Sequence, residues 1–175
     1  MLLTVGHGRL DGSGLAELLV GAGVQQLVDV RRYPGSRRQP EVSRESLQEL
    51  LPRHGVAYRW EERLGGRRRV DGEPVDTWWQ VTQFQAYAAW TRTPEFGAAM
   101  AELLTGGQQQ TTAVMCSESV WWRCHRRLIG DVAVLAHGVE VRHLMHDGRL
   151  GGHRVAEGAR LTGAGVVWDG AAPAS

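Results

Sequence analysis

Short apolar runs alternate along this chain with segments of helical periodicity, and this alternation constrains the fold more than any other feature. Branched and aliphatic residues predict strands at 2–5, 26–30, 56–60, 111–115 and 139–144, with a weaker strand at 165–168. Apolar residues at helical spacing predict helices at 14–22, 43–52, 82–91, 94–104 and 120–135. Strands that alternate with helices predict an α/β fold: one domain whose mainly parallel sheet is flanked by helices in a Rossmann-like, three-layer arrangement.

Capping and breaking residues set the predicted helix boundaries. Ser13, Ser43 and Thr93 are expected to be N-caps, and Pro94 suits the first helical position after Thr93. The pair Gly106-Gly107 is expected to end the helix before the strand at 111–115. The segment 61–69 is expected to be a loop, and residues 70–80 are expected to be irregular.

Length and composition fit one domain over residues 1–175, with a tail rich in Gly and Ala from about residue 147. No apolar run approaches the roughly 20 residues that cross a bilayer. The first residues lack a charged segment followed by a long apolar core, which predicts a cytoplasmic protein without a membrane anchor. Both cysteines are then expected to be reduced.

The charge distribution is uneven, although the net charge is only +1. All 20 basic residues are arginine, and residues 31–69 hold eleven arginines against five glutamates. A biased genome composition explains the missing lysine. The local surplus fits either a solvated face or an anion-binding surface, because the guanidinium fork suits phosphate and carboxylate groups.

Polar side chains follow four of the predicted strands directly. His7 follows the first strand, Arg31 the second, the Gly65-Gly66-Arg67 loop the third, and Cys116 with Glu118 the next. In a parallel sheet, ligands bind outside the carboxyl ends of the strands. The sequence therefore predicts that these segments meet at one edge of the sheet and form a site.

The segment 111–127 carries most of the reactive side chains. Cys116 lies where a strand meets a loop and a helix, so the helix amides and nearby arginine are expected to lower the pKa of its thiol. A buried structural cysteine is the alternative. Glu118 is either a general acid or base or a carboxylate favoured at a helix start, and His7 is either a catalytic residue or a hydrogen-bonded turn histidine.

Cys124 and His125 are adjacent, so on a helix their side chains diverge by about 100° and do not both face one ligand. Their spacing from Cys116 differs from the usual zinc patterns, so neither a metal nor any other cofactor is expected. A disulfide between the cysteines requires the chain between them to fold back. Arg126 on the first helical turns is a candidate anion clamp.

Asp29 stands inside an otherwise apolar strand. A buried carboxylate needs a partner, and the candidates are Arg31, Arg37 and Arg126. The sequence therefore predicts that Asp29 orients an arginine. The Gly65-Gly66-Arg67 loop lacks the Lys and Ser/Thr of a phosphate-binding Walker loop, but its backbone can still form an anion nest.

Taken together, these segments resemble the domain of unknown function 488 family. The residues that carry the resemblance are Thr4-Val-Gly-His7, Leu27-Val-Asp29-Val-Arg31-Arg-Tyr-Pro34-Gly-Ser36-Arg37, Tyr58, Leu64-Gly-Gly-Arg67, Phe84, Tyr87, Met115-Cys116-Ser-Glu118, Cys124-His125-Arg126, Val141-Arg-His143-Leu, Asp147-Gly and Gly158-Ala-Arg160. The resemblance implies a shared fold and one polar site, not a particular reaction. It adds Ser36 and Arg37 to the expected substrate-binding residues, which are Asp29, Arg31, Ser36, Arg37, Gly65, Gly66, Arg67, Cys124, His125 and Arg126.

Three hypotheses about function follow. In the first, the protein is a cysteine-nucleophile hydrolase or transferase with Cys116, Glu118 and His7 as catalytic residues and a nucleotide or other phosphorylated compound as substrate. In the second, it is a non-catalytic module that binds nucleic acid through the basic edge, with Trp121 or Trp122 stacking on a base. In the third, the cysteines form a redox or metal switch.

Overall fold

Five of the six strands in the central sheet run parallel. The computed structural model describes residues 1–35, 39–69 and 72–171. The strands are β1 (Leu2–Gly6), β2 (Gln26–Asp29), β3 (Ala57–Trp60), β4 (Thr112–Cys116), β5 (Val141–Leu144) and β6 (Leu150–Gly152). Their order is β3-β2-β4-β1-β5-β6, and only β6 is antiparallel, pairing with β5. The switch in strand order places β4 between β1 and β2, so the ends of these three strands adjoin.

Helices cover both faces of this sheet. They are α1 (Gly12–Gly21), α2 (Arg44–Arg53), α3 (Thr82–Trp90), α4 (Pro94–Gln109) and α5 (Arg126–His137). Side chains alternate between the faces of each strand. Leu3 and Met115 therefore pack with α1 and α2, whereas Leu2, Val114 and Cys116 pack with α3, α4 and α5. The predicted single α/β domain with a mainly parallel sheet flanked by helices is confirmed.

Helix boundaries follow the caps, with differences from the prediction at α1, α4 and α5. Ser43 and Thr93 accept hydrogen bonds from backbone amides three residues on, as expected of N-caps. The cap of α1 is Asp11, not Ser13, and its carboxylate accepts from the amide of Gly14 at 2.7 Å. Helix α4 continues through both glycines at 106–107 to Gln109. Each glycine costs about 1 kcal/mol in a helix, and the packing of the buried face of α4 outweighs that cost.

The start of α5 differs most from the prediction. The helix expected from residue 120 begins at Arg126, after a 3-10 turn at Trp121–Arg123. Cys124, which closes that turn, has extended backbone angles. The indole of Trp121 stacks on the imidazole of His143 from β5, with ring centroids 3.9 Å apart. This contact fixes the turn and leaves Cys124 outside the helix.

The tail contributes to the core. The weak strand predicted at 165–168 is β8 (Gly165–Trp168), which pairs with β7 (Ala159–Thr162) in a two-stranded antiparallel sheet. Trp168 is fully buried, and its indole N–H donates to Asp131 of α5 at 2.7 Å. The hairpin therefore anchors against α5. None of the helices in the described part of the chain combines the length and apolarity needed to cross a bilayer.

Candidate active site

A cavity of about 480 Å³ opens at the carboxyl edge of the sheet. Segments far apart in the sequence line it, as the strand order requires. Seven of the residues expected in a site are among its lining residues: His7, Arg31, Gly66, Arg67, Cys116, Cys124 and His125. Further lining residues are Arg32, Tyr33, Gln83, Phe84, Tyr87 and Ser117. No acidic side chain is among the described residues that line this cavity.

Two cysteine sulfurs lie in contact at the cavity wall. The Sγ atoms of Cys116 and Cys124 are 3.1 Å apart, and both residues are buried. Cys116 is the last residue of β4, and Cys124 reaches it because the 3-10 turn folds the chain back. The prediction that Cys124 and His125 diverge on a helix is wrong, because Cys124 precedes the helix and both residues line the cavity.

Arg126 joins the two sulfurs. Its Nε lies 3.0 Å from Sγ of Cys116 and 3.2 Å from Sγ of Cys124, and its side chain is buried. Its other nitrogens donate to the hydroxyl of Thr4 and to the carbonyls of Glu118 and Ser119. No described carboxylate forms an ion pair with it. The sulfur pair is therefore the one group in contact with this guanidinium that can carry a compensating negative charge.

These contacts shift the pKa values of the two thiols in opposite directions. Burial by itself raises the pKa of Cys124, but the hydrogen bond from Cys116 and the charge and N–H groups of Arg126 lower it to about 6. For Cys116, burial and the neighbouring Cys124 raise the pKa well above its ordinary range. The prediction of a lowered pKa at Cys116 is therefore wrong, and the thiolate forms at Cys124.

His7 and Arg31 form the opposite side of the cavity. Nε2 of His7 lies 3.4 Å from an Nη atom of Arg31, which can only donate, so the imidazole proton is on Nδ1, near the carbonyl of Gly8 at 3.1 Å. Burial, reinforced by the charge of Arg31, lowers the pKa of His7 from its ordinary value of about 6.5. The imidazole is therefore neutral at pH 7.

Asp29 orients Arg31. The carboxylate accepts from Nε of Arg31 at 2.8 Å and from Nη2 at 2.6 Å, while the hydroxyl of Tyr58 donates to it at 2.7 Å. Burial and the adjacent carboxylate raise the pKa of Tyr58 above its usual range, so the hydroxyl keeps its proton. Of the three partners considered for Asp29, Arg31 is in contact and Arg126 binds the cysteines instead, while Arg37 lies outside the described residues.

The glycine loop approaches His125 closely. A Cβ atom on Gly66 would lie 3.2 Å from Nδ1 of His125, and one on Gly65 would lie 2.9 Å from the backbone nitrogen of Arg32. Arg67 has a positive φ of 57°, in the left-handed region that residues with a side chain seldom adopt. Burial, reinforced by Arg126, lowers the pKa of His125 to about 4, so it is neutral and its Nε2 has no partner among the described residues.

The remaining predicted residues lie elsewhere. The carboxylate of Glu118 is exposed and is not among the cavity lining, while its backbone carbonyl accepts from Arg126 and lies 3.5 Å from Sγ of Cys116. Ser36 and Arg37 lie outside the described residues. Of the two tryptophans expected to stack on a base, Trp121 is covered by His143, whereas Trp122 is exposed. No group of three or more metal-ligating side chains occurs in the described ranges.

A buried polar chain that the sequence analysis missed extends from Arg126. Thr4 lies 2.6 Å from Nδ1 of His143, whose Nε2 lies 3.0 Å from Nδ1 of His153, and His153 reaches Asp131 at 2.8 Å. Burial, with His153 and Arg126, lowers the pKa of His143 to about 3. Every donor finds an acceptor when Thr4 donates to His143, His143 to His153, and His153 to Asp131. The sequence signal that could have revealed this chain is Thr4, a polar residue in the middle of the buried strand β1.

Gly6 allows the loop after β4 to approach β1. A Cβ atom at this position would lie 1.9 Å from the carbonyl oxygen of Glu118 and 2.8 Å from Arg126. We expect Gly6→Ala to destabilise the protein by about 1–3 kcal/mol, because the loop and the guanidinium must shift. In contrast, Gly97→Ala on α4, where no atom lies within 4 Å of the added carbon, should stabilise it by about 0.5–1 kcal/mol. Urea denaturation measures the free energy of unfolding of both variants. If Gly6→Ala and Gly97→Ala are equally stable, the close approach of the loop to Gly6 is contradicted.

A comparison with protein families gives a match over most of the chain. The family model described as Domain of unknown function DUF488 matches residues 13–133. No curated protein matches the chain, and no solved structure matches it. The matched range includes the cysteines, Arg126 and the Asp29–Arg31 pair, whereas Thr4, His7, His143 and Trp168 lie outside it. Because the match extends over more than half of the chain, the protein belongs to the DUF488 family.

Proposed function

We propose that this protein is a cysteine-dependent enzyme that acts on an anionic substrate, such as a nucleotide or another phosphorylated compound. The observation that carries the proposal is the buried contact of Arg126 with both cysteine sulfurs beside the cavity. A buried guanidinium is costly without a compensating charge. A thiolate at Cys124 supplies that charge, and a thiolate is also the reactive form of cysteine.

The walls of the cavity support an anionic substrate. Arg31, Arg32 and Arg67 line the same cavity as Cys124. Asp29 and Tyr58 hold Arg31 in one orientation, so less entropy is lost when its guanidinium binds an anion. Asp29 and the carbonyl of Val42 occupy Nε and Nη2 of Arg31, so Nη1 is the nitrogen of this side chain that can donate to an anion, while Arg32 and Arg67 form no ion pair with a described carboxylate and can offer the full guanidinium fork.

The proposed reaction has two steps. The thiolate of Cys124 forms a bond to the electrophilic centre of the substrate, the bond from that centre to the leaving group breaks, and the leaving group takes a proton from the Cys116 thiol. Water or another acceptor then attacks the bound centre and loses its proton to the neutral His7, and the bond to Sγ breaks to restore the thiolate. The proton on His7 returns to Cys116 and completes the cycle. Glu118 contributes its backbone carbonyl.

The pH dependence of alkylation tests the thiolate. We expect the rate of alkylation of Cys124 by iodoacetamide to rise with pH and to be half-maximal near pH 6, because the reactive form is lost as pH falls through the lowered pKa. In the same protein, the thiol of Cys116 should react with a midpoint above the ordinary value of about 8.5, because burial and the neighbouring Cys124 raise its pKa. Peptide mass spectrometry assigns the modified residue, and a midpoint near 8.5 for both thiols would contradict the proposal.

Turnover is tested with phosphorylated compounds, including nucleotides. The same mass measurement on intact protein detects a covalent adduct on Cys124 during turnover. The Cys124→Ser variant should retain the fold and lose both adduct and turnover, because serine is not ionised at neutral pH. Full activity of this variant would overturn the role of the thiolate.

A further inference from the structure

We infer that the anionic substrate is a single-stranded nucleic acid, which lies along an arginine-lined groove that continues from the cavity. This inference rests on the proposed function only in placing the reacting end of the strand at Cys124. The groove has a volume of about 700 Å³ and shares Arg32, Tyr33 and Arg67 with the cavity. Each volume lies within the roughly 300–1,000 Å³ that holds one small ligand. The two together therefore suit a ligand longer than a mononucleotide.

Within the described residues, no carboxylate forms an ion pair with the arginines of this groove. Arg32, Arg67, Arg68 and Arg69 line it, and none of the four forms an ion pair with a described carboxylate. Carbonyl oxygens hold two of them instead, since Arg32 donates to the carbonyl of Arg67 at 2.6 Å and Arg68 to that of Gly65 at 2.9 Å. Arginines held close together by carbonyls repel one another until an anion binds between them.

The same loop region pairs its other arginines fully. Arg63 lies 2.7 Å from both Glu61 and Glu102, and Arg59 lies 2.7 Å from Glu61. Glu61 and Glu102 are therefore bound by Arg59 and Arg63, whereas no described carboxylate lies within ion-pair distance of the arginines that line the groove. This segregation favours a functional anion site over a solvated charged face, because a solvated face has no reason to separate the two signs.

An exposed aromatic ring stands where groove and cavity meet. Tyr33 is 61% exposed, and the guanidinium carbons of Arg32 and Arg67 lie 5.5 Å and 5.8 Å from its ring centroid. A base can stack on this ring while the arginines bind the adjoining phosphates. Trp90 has a different role, because Arg68 already covers its ring at 3.9 Å. Stacking on Tyr33 requires an unpaired base, which favours a single strand over a duplex.

The test measures binding of a fluorescent thymidine oligonucleotide by anisotropy at several salt concentrations, with the Cys124→Ser protein so that no reaction occurs. Binding should tighten with oligonucleotide length and weaken with salt. We expect Arg69→Gln to reduce the slope of log affinity against log salt by about 0.7, and Tyr33→Ala to weaken binding roughly five- to 100-fold. The control is Arg149→Gln, which removes the same charge from an exposed arginine outside the groove.

Each outcome bears on one claim. Equal effects of Arg69→Gln and Arg149→Gln, tighter binding of duplex, or equal affinity for mononucleotides and inorganic polyphosphate would overturn the inference of a strand in the groove. If the protein does not bind the strand but Cys124 is still alkylated with a midpoint near pH 6, only the inference of a strand fails and the proposed cysteine enzyme stands. If the strand binds through the groove but neither thiol reacts with iodoacetamide, the proposed cysteine chemistry is overturned instead.

Discussion

Replacing Arg126 by glutamine should reduce the thiolate fraction at pH 7 about 30-fold. The hydrogen bond from Cys116 and the charge and N–H groups of Arg126 together lower the pKa of Cys124 to about 6; without Arg126, burial outweighs the hydrogen bond from Cys116 and the pKa returns at least to its ordinary value of about 8.5. Burial adds to the rise, because the charged form is then desolvated without a partner. The ultraviolet absorbance of the thiolate, followed against pH, measures the change directly and does not depend on the nucleophilicity of the sulfur.

The matched control is Arg123→Gln, which removes an exposed arginine three residues away from Arg126. Its titration should match that of the unchanged protein. If Arg126→Gln does not fold, Arg126→Lys is the second variant, because lysine keeps the charge but has a single nitrogen in place of the guanidinium fork. The pKa of Cys124 in Arg126→Lys should lie between about 6 and about 8.5. A thiolate midpoint near pH 6 in either Arg126 variant would show that another group stabilises the charge.

Removing the Asp29 carboxylate should produce the largest loss of stability. Asp29→Ala leaves the buried guanidinium of Arg31 and the hydroxyl of Tyr58 without their acceptor. Breaking a buried ion pair on one side costs about 3–5 kcal/mol. For a domain of this size that cost lowers the midpoint of thermal unfolding by about 10 °C. Calorimetry measures the midpoint, and chemical denaturation measures the free energy of unfolding.

An exposed ion pair provides the comparison. Asp147 pairs with Arg149 at 2.7 Å on the surface, where water screens both charges, so Asp147→Ala should leave the free energy of unfolding nearly unchanged. Tyr58→Phe removes only one hydrogen bond to Asp29 and should cost about 1.5–3 kcal/mol, because that bond is to a charged group. If Asp29→Ala and Asp147→Ala are equally stable, the buried pair does not stabilise the fold as argued.

Local patterns predicted the fold well where neighbours in sequence decide the structure. The apolar runs identified the strands β1 to β5 and β8, and the caps Ser43 and Thr93 were found because capping bonds reach only three residues. The partner of Asp29 was also among the predicted set, since Arg31 is two residues away. The helix start at Arg126 was missed, because a stacking contact between Trp121 and His143 determines it.

The convergence of the strand ends was predicted, but the directions and charges of the side chains there were not. The strand ends indicated that His7, Arg31, Arg67 and Cys116 approach one edge, and all four line the cavity. The exposed carboxylate of Glu118 shows the limit of that approach, because sequence position does not give the direction of a loop side chain. In the sequence, the arginine groove appeared only as a local surplus of positive charge. Which arginines pair with glutamate and which do not depends on contacts in the folded protein.

The sequence by itself determined the order and type of the elements, the parallel sheet and the edge at which reactive groups collect, because these depend on periodicity and short-range caps. Only the tertiary structure decided which sulfur carries the charge. Cys116 and Cys124 are both cysteines near a helix start, but burial, their contact of 3.1 Å and the fork of Arg126 set their pKa values in opposite directions. Arg126 is in turn bound to Thr4, 122 residues away in sequence, and no local pattern encodes a contact of that range.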